Sequence, residues 1–155
     1  MILLPFLLAA LQGDAAESTY YELETFKTPS GAVLEVGGLD FFSDGRLAVS
    51  TRRGQVWIVD GALGDDISKA KFSLFAEGLR EGLGLNVVDD QIHVMQRGEV
   101  SRLLDEDGDG RCDRIDTISH SWGVSGNYHE FGFGLPQDKQ GNFYITLNVS
   151  FSNPW

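Results

Sequence analysis

The sequence predicts an all-β fold, and three observations carry that expectation. Short apolar runs bounded by turn residues recur along the chain, while no helical periodicity is found after residue 17. Glycine, at 19 of 155 residues, is scattered without a period of three, which is the distribution of a chain with many tight turns. One segment of strands and turns also returns later in the chain. With 42% hydrophobic residues and 10 phenylalanines there is apolar material for a core, which disordered acidic chains lack.

The charge balance narrows the partners. Twelve lysines and arginines stand against 23 aspartates and glutamates, a net charge of −11, so a phosphate backbone is repelled and nucleic acid is excluded as a partner. The single cysteine, Cys112, permits no internal disulfide and no four-cysteine zinc site. Residues 1–11 are apolar but much shorter than the roughly 20 residues that span a bilayer, so no transmembrane segment is expected. Followed by Gly13-Asp14-Ala15-Ala16, this run predicts a signal peptide over residues 1–16 and a secreted or periplasmic protein. No basic residue precedes Lys27, and a buried N-terminal helix is the alternative.

In chain order, residues 20–26 alternate as a strand does, and residues 39–42 form a short apolar run closed by the turn Ser43-Asp44-Gly45. Residues 46–50 and 55–59 then flank Arg52-Arg53-Gly54, read as a solvated hairpin turn, with Trp57 a packing aromatic. The stretch from Gly38 to Val49, leading to Arg53-Gly54-Gln55-Val56, resembles the stretch from Gly82 to Val94, leading to Arg97-Gly98-Glu99-Val100, at an offset of 44 residues. A third copy starts at Phe131-Gly132-Phe133-Gly134-Leu135 and runs through Gly141-Asn142-Phe143-Tyr144-Ile145, after an insertion at 105–126. A period of about 40 to 50 residues with four short strands per unit is the pattern of β-propeller blades. Residues 17–155 are therefore expected to be an incomplete β-propeller, about three four-stranded blades of six or more, whose partners are missing downstream blades. A sandwich of look-alike hairpins is the alternative fold.

The insertion opens on an acidic loop, residues 105–116, D-E-D-G-D-G-R-C-D-R-I-D. Calcium takes about six to eight oxygen ligands, and loop positions 1, 3, 5, 7, 9 and 12 can supply them. Those positions are Asp105, Asp107, Asp109, the Arg111 carbonyl, Asp113 and Asp116, with Gly110 at the sharp turn of position 6. An aspartate at the last position reaches less far than the usual glutamate, so modest affinity is expected. Residues 99–104 alternate as a strand and residues 114–118 are too short for a helix, so this is a calcium loop on a blade hairpin and not an EF-hand. Cys112 is read as a small buried hydrophobe.

Between this loop and the third repeat lies a glycine-rich segment containing Asn127-Tyr128-His129. A histidine at the start of a strand can act as general base because it titrates near neutral pH. Together with Phe133-Gly134, Pro136, Asp138 and Gly141-Asn142-Phe143-Tyr144-Ile145, this segment resembles the signature of the quinoprotein glucose/sorbosone dehydrogenases, and more closely the large secreted sugar-dehydrogenase-like propellers related to them. That resemblance implies a six-bladed propeller holding pyrroloquinoline quinone (PQQ) and calcium, which oxidises a sugar or alcohol hydroxyl by hydride transfer. Only His129 carries over, as the base; Glu130-Phe131-Gly132 replaces the glycine pair that follows the histidine in that family. Two functions stay open: an N-terminal fragment of an exported quinoprotein-type dehydrogenase, inactive alone, or a non-catalytic calcium-stabilised propeller that binds carbohydrate or protein.

Overall fold

The computed structural model describes residues 19–148. The signal peptide expected at residues 1–16 lies outside them. Among the described residues there are ten strands, one short 3-10 turn at Ile67–Lys69 and no α-helix, so the all-β expectation holds. No helix there is long and apolar enough to cross a membrane.

Two four-stranded antiparallel meanders form the body. The first contains β1 (Val36–Phe41), β2 (Leu47–Thr51), β3 (Val56–Asp60) and β4 (Lys71–Ala76), in that spatial order. The second contains β5 (Gly84–Val88), β6 (Gln91–Met95), β7 (Val100–Leu104) and β8 (Arg114–Ser119), again in sequence order. A third, two-stranded sheet pairs β9 (Gly132–Phe133) with β10 (Thr146–Leu147). The repeat read from the sequence thus corresponds to two full sheets and one short one.

The two meanders match strand for strand. Leu47 of β2 corresponds to Gln91 of β6, the offset of 44 seen in the sequence, because each pairs with the last residue of the preceding strand. Those last residues are Phe41 and Val88, an offset of 47, so the alignment of Gly38 with Gly82 is three residues out of structural register. The cause is the connecting turn: residues 42–46 link β1 to β2, whereas Asp89-Asp90 alone link β5 to β6. Both aspartates take positive φ, 50° and 58°, as a two-residue I′ turn demands, and aspartate tolerates that region better than most side chains. Even the irregularities repeat, since a register shift falls between Val56 and Trp57 and again between Val100 and Ser101.

Apolar side chains hold the sheets face to face. Ala48, Ile58 and Phe75 of the first sheet share one buried cluster with Leu85, Ile92, Val94 and Leu103 of the second. Leu47, Val49 and Val59 turn to the other side of the first sheet, where Phe26 and Phe72 close the cluster edge to face with ring centroids 6.1 Å apart. Met95 and Val100 pack with Leu135, Phe143 and Ile145 of the third segment. Strands β2 and β6 therefore carry buried residues on both faces, which is why they read as near-continuous apolar runs instead of alternating. Each fully buried aliphatic side chain stabilises by about 1.5–3 kcal/mol.

Glycine permits a closer approach where the first strands meet. A Cβ on Gly38 would lie 2.5 Å from the Leu85 nitrogen, and one on Gly37 would lie 2.1 Å from the Gly82 carbonyl oxygen. The motif repeats one sheet on, where a Cβ on Gly84 would come within 2.6 Å of the Gly134 carbonyl. Hydrogen bonds fix the spacing: Val87 donates its N–H to Asp40 Oδ2 at 2.9 Å, the Ser50 hydroxyl to the Gly82 carbonyl at 3.1 Å, and Gly134 its N–H to the Leu83 carbonyl at 3.2 Å.

Two sequence expectations differ from the structure. Residues 20–26 form no strand, because no neighbour ladders with them; Leu23 is 95% exposed and only Phe26 packs. The third repeat makes short pairings only: β9 with β10, and an isolated bridge from Gln137 to Phe143. Gly134 turns to positive φ there and Pro136 has no N–H to give a ladder. Asp138 braces the following turn, accepting from Asn142, Gln140 and the Tyr144 hydroxyl, and these bonds lower its carboxyl to about 2.

Gly84→Ala should destabilise the chain by about 1–3 kcal/mol, since backbone on the facing sheet has nowhere to move. Gly126→Ala, with nothing within 4 Å, should be near neutral. Denaturant midpoints check both, and equal midpoints for the two variants contradict the close approach. A second expectation concerns His93, which is buried against Phe143 with Nδ1 3.1 Å from the Gln91 carbonyl. Burial, with the Arg102 charge adding, lowers its pKa from 6.5 despite that hydrogen bond. Between the lowered value and 6.5 the unfolded chain binds a proton that the folded chain refuses, so stability should fall as pH drops through that window and level off above it. His93→Gln should flatten this part of a melting-temperature profile.

Candidate functional site

The acidic loop joins β7 to β8 and clamps the two large sheets together. Cys112 donates its N–H to the Phe75 carbonyl of β4 at 2.8 Å, and its side chain packs against the inter-sheet core but is only half-buried, where the sequence reading expected it buried. Burial raises its thiol pKa, the opposite of what a reactive nucleophile needs.

Within the loop, aspartate side chains tie down the backbone. Asp105 accepts the N–H groups of Gly108 and Gly110 at 2.8 and 2.9 Å, Asp107 accepts from Asp109, and Asp109 from Arg111. Gly110 takes φ +84°, the sharp turn expected at its position. The result brings Asp105, Asp107 and Asp109 together, with one carboxylate oxygen of each within 4.8 Å of the others. All three donors are hard oxygens, the chemistry suited to calcium, and Asp107 and Asp109 are exposed. Three carboxylates at this range repel one another by about 1 kcal/mol per close pair in water, and a divalent cation would relieve it.

The rest of the expected ligand set is engaged elsewhere. Asp113 Oδ2 accepts the Glu106 N–H at 2.7 Å, which closes the base of the loop. Asp116 sits on β8 opposite Arg102, whose Nη2 reaches Oδ2 at 2.9 Å, while Arg114 Nε reaches Oδ1 at 3.1 Å. The Arg102 hydrogen bond, followed by the Arg114 and Arg102 charges, lowers the Asp116 pKa. The sequence pattern missed this because position 12 lies on a strand whose cross-strand neighbour happens to be arginine. Arg111 contributes its N–H to the Asp109 side chain.

The histidine segment is an irregular loop held at two points. Glu130, only 5% exposed, accepts the Ser125 N–H and hydroxyl, both at 2.7 Å. Arg97 Nη2 donates to the carbonyls of Ser125 and Asn127, and the Arg97 carbonyl accepts from Trp122 Nε1 at 3.1 Å. Asn127 Oδ1 in turn accepts the His129 N–H at 3.1 Å. No sequence pattern marks these anchors, since Glu130 and Arg97 meet the Ser125–Asn127 loop only through the fold. His129 itself is exposed, with its ring 3.9 Å from that of Tyr128 and no hydrogen bond from its ring nitrogens to the described residues. A general base normally has an orienting partner, and none stands beside it among the described residues.

No protein-family model, no curated protein and no solved structure matches this chain.

The geometry makes the aspartates separable. Asp107→Asn should abolish any rise in melting temperature produced by calcium, because it removes a carboxylate from the converging three. Asp116→Asn should leave calcium affinity within about a factor of two while lowering the denaturant midpoint slightly through the lost arginine pairs. Calorimetric titration of both variants checks this, and equal loss of binding would restore Asp116 to the ligand set.

Proposed function

We propose that this chain is a segment of a calcium-stabilised β-propeller that binds carbohydrate or protein. The observation that carries the architecture is the repeated glycine contact, Gly37 and Gly38 against Gly82–Leu85 and then Gly84 against Gly134. Three successive sheets approach one another most closely along their first strands, as blades do around a propeller axis, whereas a closed two-sheet sandwich has no use for a third such contact. The calcium assignment rests on Asp105, Asp107 and Asp109, and its role is structural: the same loop carries the Cys112 bond to β4. A cation there would stiffen the junction between two sheets and do no chemistry on substrate.

A quinoprotein-type sugar or alcohol dehydrogenase is the second reading, favoured by the Asn127-Tyr128-His129 resemblance. In it, His129 would take the proton of the substrate hydroxyl, while PQQ would supply the hydride acceptor when bound. The exposed, unoriented ring of His129 favours the binding role over this one. An export route and further blades of the same protein belong to both readings.

The experiment that separates them is a dye-linked oxidation assay of the protein carrying all its blades, with glucose and simple alcohols, in the presence of calcium and PQQ, beside a glycan-array screen of the same preparation. Array binding without turnover, unaffected by His129→Ala, supports the binding module. Turnover lost in His129→Ala with an unchanged melting temperature supports the dehydrogenase and rejects the binding module. Retained calcium-dependent stability with neither array binding nor turnover rejects the dehydrogenase and the carbohydrate-binding role, and leaves a protein as the partner.

A further inference from the structure

We propose that a cleft walled by Arg52, Arg80 and Arg97 binds the carboxylate or phosphate group of a small anionic ligand. The cleft measures about 380 Å³ and is completed by Leu79 and Glu81. Three arginines against one carboxylate make a local excess of positive charge on a chain whose net charge is −11. That excess would attract an anion to the cleft.

Among the described residues, four of the other five arginines are paired, and Arg111 in the acidic loop is not. Arg46, Arg53, Arg102 and Arg114 each pair with a carboxylate. Among the described residues Arg52, Arg80 and Arg97 pair with none. Arg52 instead lies over the Phe131 ring, 5.8 Å from its centroid, which orients the planar guanidinium without neutralising it. Arg97 spends Nη2 on the carbonyls of Ser125 and Asn127, bonds that fix its position but leave its charge uncancelled.

Backbone bonds draw the walls together. The Arg97 N–H bonds to the Arg80 carbonyl at 3.1 Å, and the Arg80 N–H bonds to Gln96 Oε1 at 2.6 Å. Between them Glu81 is held at φ +50°, a conformation glutamate rarely adopts and one that persists only where surrounding structure imposes it. A strained residue beside unneutralised arginines in a cleft is the pattern of a preorganised oxyanion site. Guanidinium groups suit carboxylate and phosphate alike, since both offer paired oxygens. The site is separate from the cation loop and needs no redox role for His129, so it stands or falls apart from the proposed function.

Calorimetric titration of the full chain with glucuronate, glucose 6-phosphate, inorganic phosphate and uncharged glucose tests the proposal. Binding of at least one anion, with none of glucose, is expected, and it should weaken as sodium chloride rises from about 20 to about 200 mM. Glucuronate alone identifies the carboxylate as the recognised group; glucose 6-phosphate or phosphate alone identifies phosphate. Arg80→Ala, an exposed position whose loss leaves the apolar core intact, should lower affinity about tenfold or more. Arg46→Ala, paired with Asp44 elsewhere, should not change it. Circular dichroism confirms that each variant is folded, and Arg52→Gln gives an independent second variant. No heat with any anion, or undiminished binding in both Arg80→Ala and Arg52→Gln, overturns the proposal.

Discussion

The structure depends on one steric permission: the first strand of each sheet meets the next with no side chain between the backbones. Glycines at 37, 38 and 84 grant it, because an added Cβ at any of them would fall well inside van der Waals contact with facing backbone. Once those strands touch, apolar residues on the middle strands reach across, and one buried cluster draws members from both large sheets. Asp40 and Ser50 then satisfy polar groups that the contact would otherwise strand, Asp40 by accepting from Val87 and Ser50 by donating to Gly82. Packing and hydrogen bonding are therefore consequences of the same close approach.

Away from that seam the acidic residues do a second job. Asp90 accepts both the N–H and the hydroxyl of Ser43, joining the first hairpin loop to the turn of the next sheet, and the bonds lower its pKa. The acidic loop makes a further link through Cys112. A chain with a large surplus of negative charge thus uses part of it as hydrogen-bond acceptor across sheet junctions. The converging trio at 105, 107 and 109 is where repulsion is greatest and where a cation has most to offer.

Much of this was legible in the sequence, for physical reasons. Strands β1 to β3 and their counterparts β5 to β7 announce themselves because glycine and aspartate turns punctuate runs of β-branched and aromatic residues, and two copies of the pattern reinforce each other, whereas β4 and β8 carry no such signal of their own. The convergence of Asp105, Asp107 and Asp109 was legible from their alternate spacing, and Gly110 makes the sharp turn expected at its place. Asp116 was not, because its fate depends on Arg102, a cross-strand neighbour that only the register reveals. Residues 20–26 had the right alternation but no ladder to join. The three-residue slip between Gly38 and Gly82 came from unequal turns, which sequence similarity averages away. The arginines at 52, 80 and 97 lie far apart in the chain, so their meeting at one cleft is a product of the fold alone.

The most direct test of the account is a nuclear Overhauser measurement on the labelled chain along the glycine seam. Contacts from the Gly38 α-protons to the Leu85 amide, and from the Gly84 α-protons to the Gly134 α-protons, are expected together, since both approaches follow from one mode of stacking. Absence of either contact in a folded sample that still shows the β1–β2 and β5–β6 ladders would contradict the stacking of successive sheets, and the propeller reading with it.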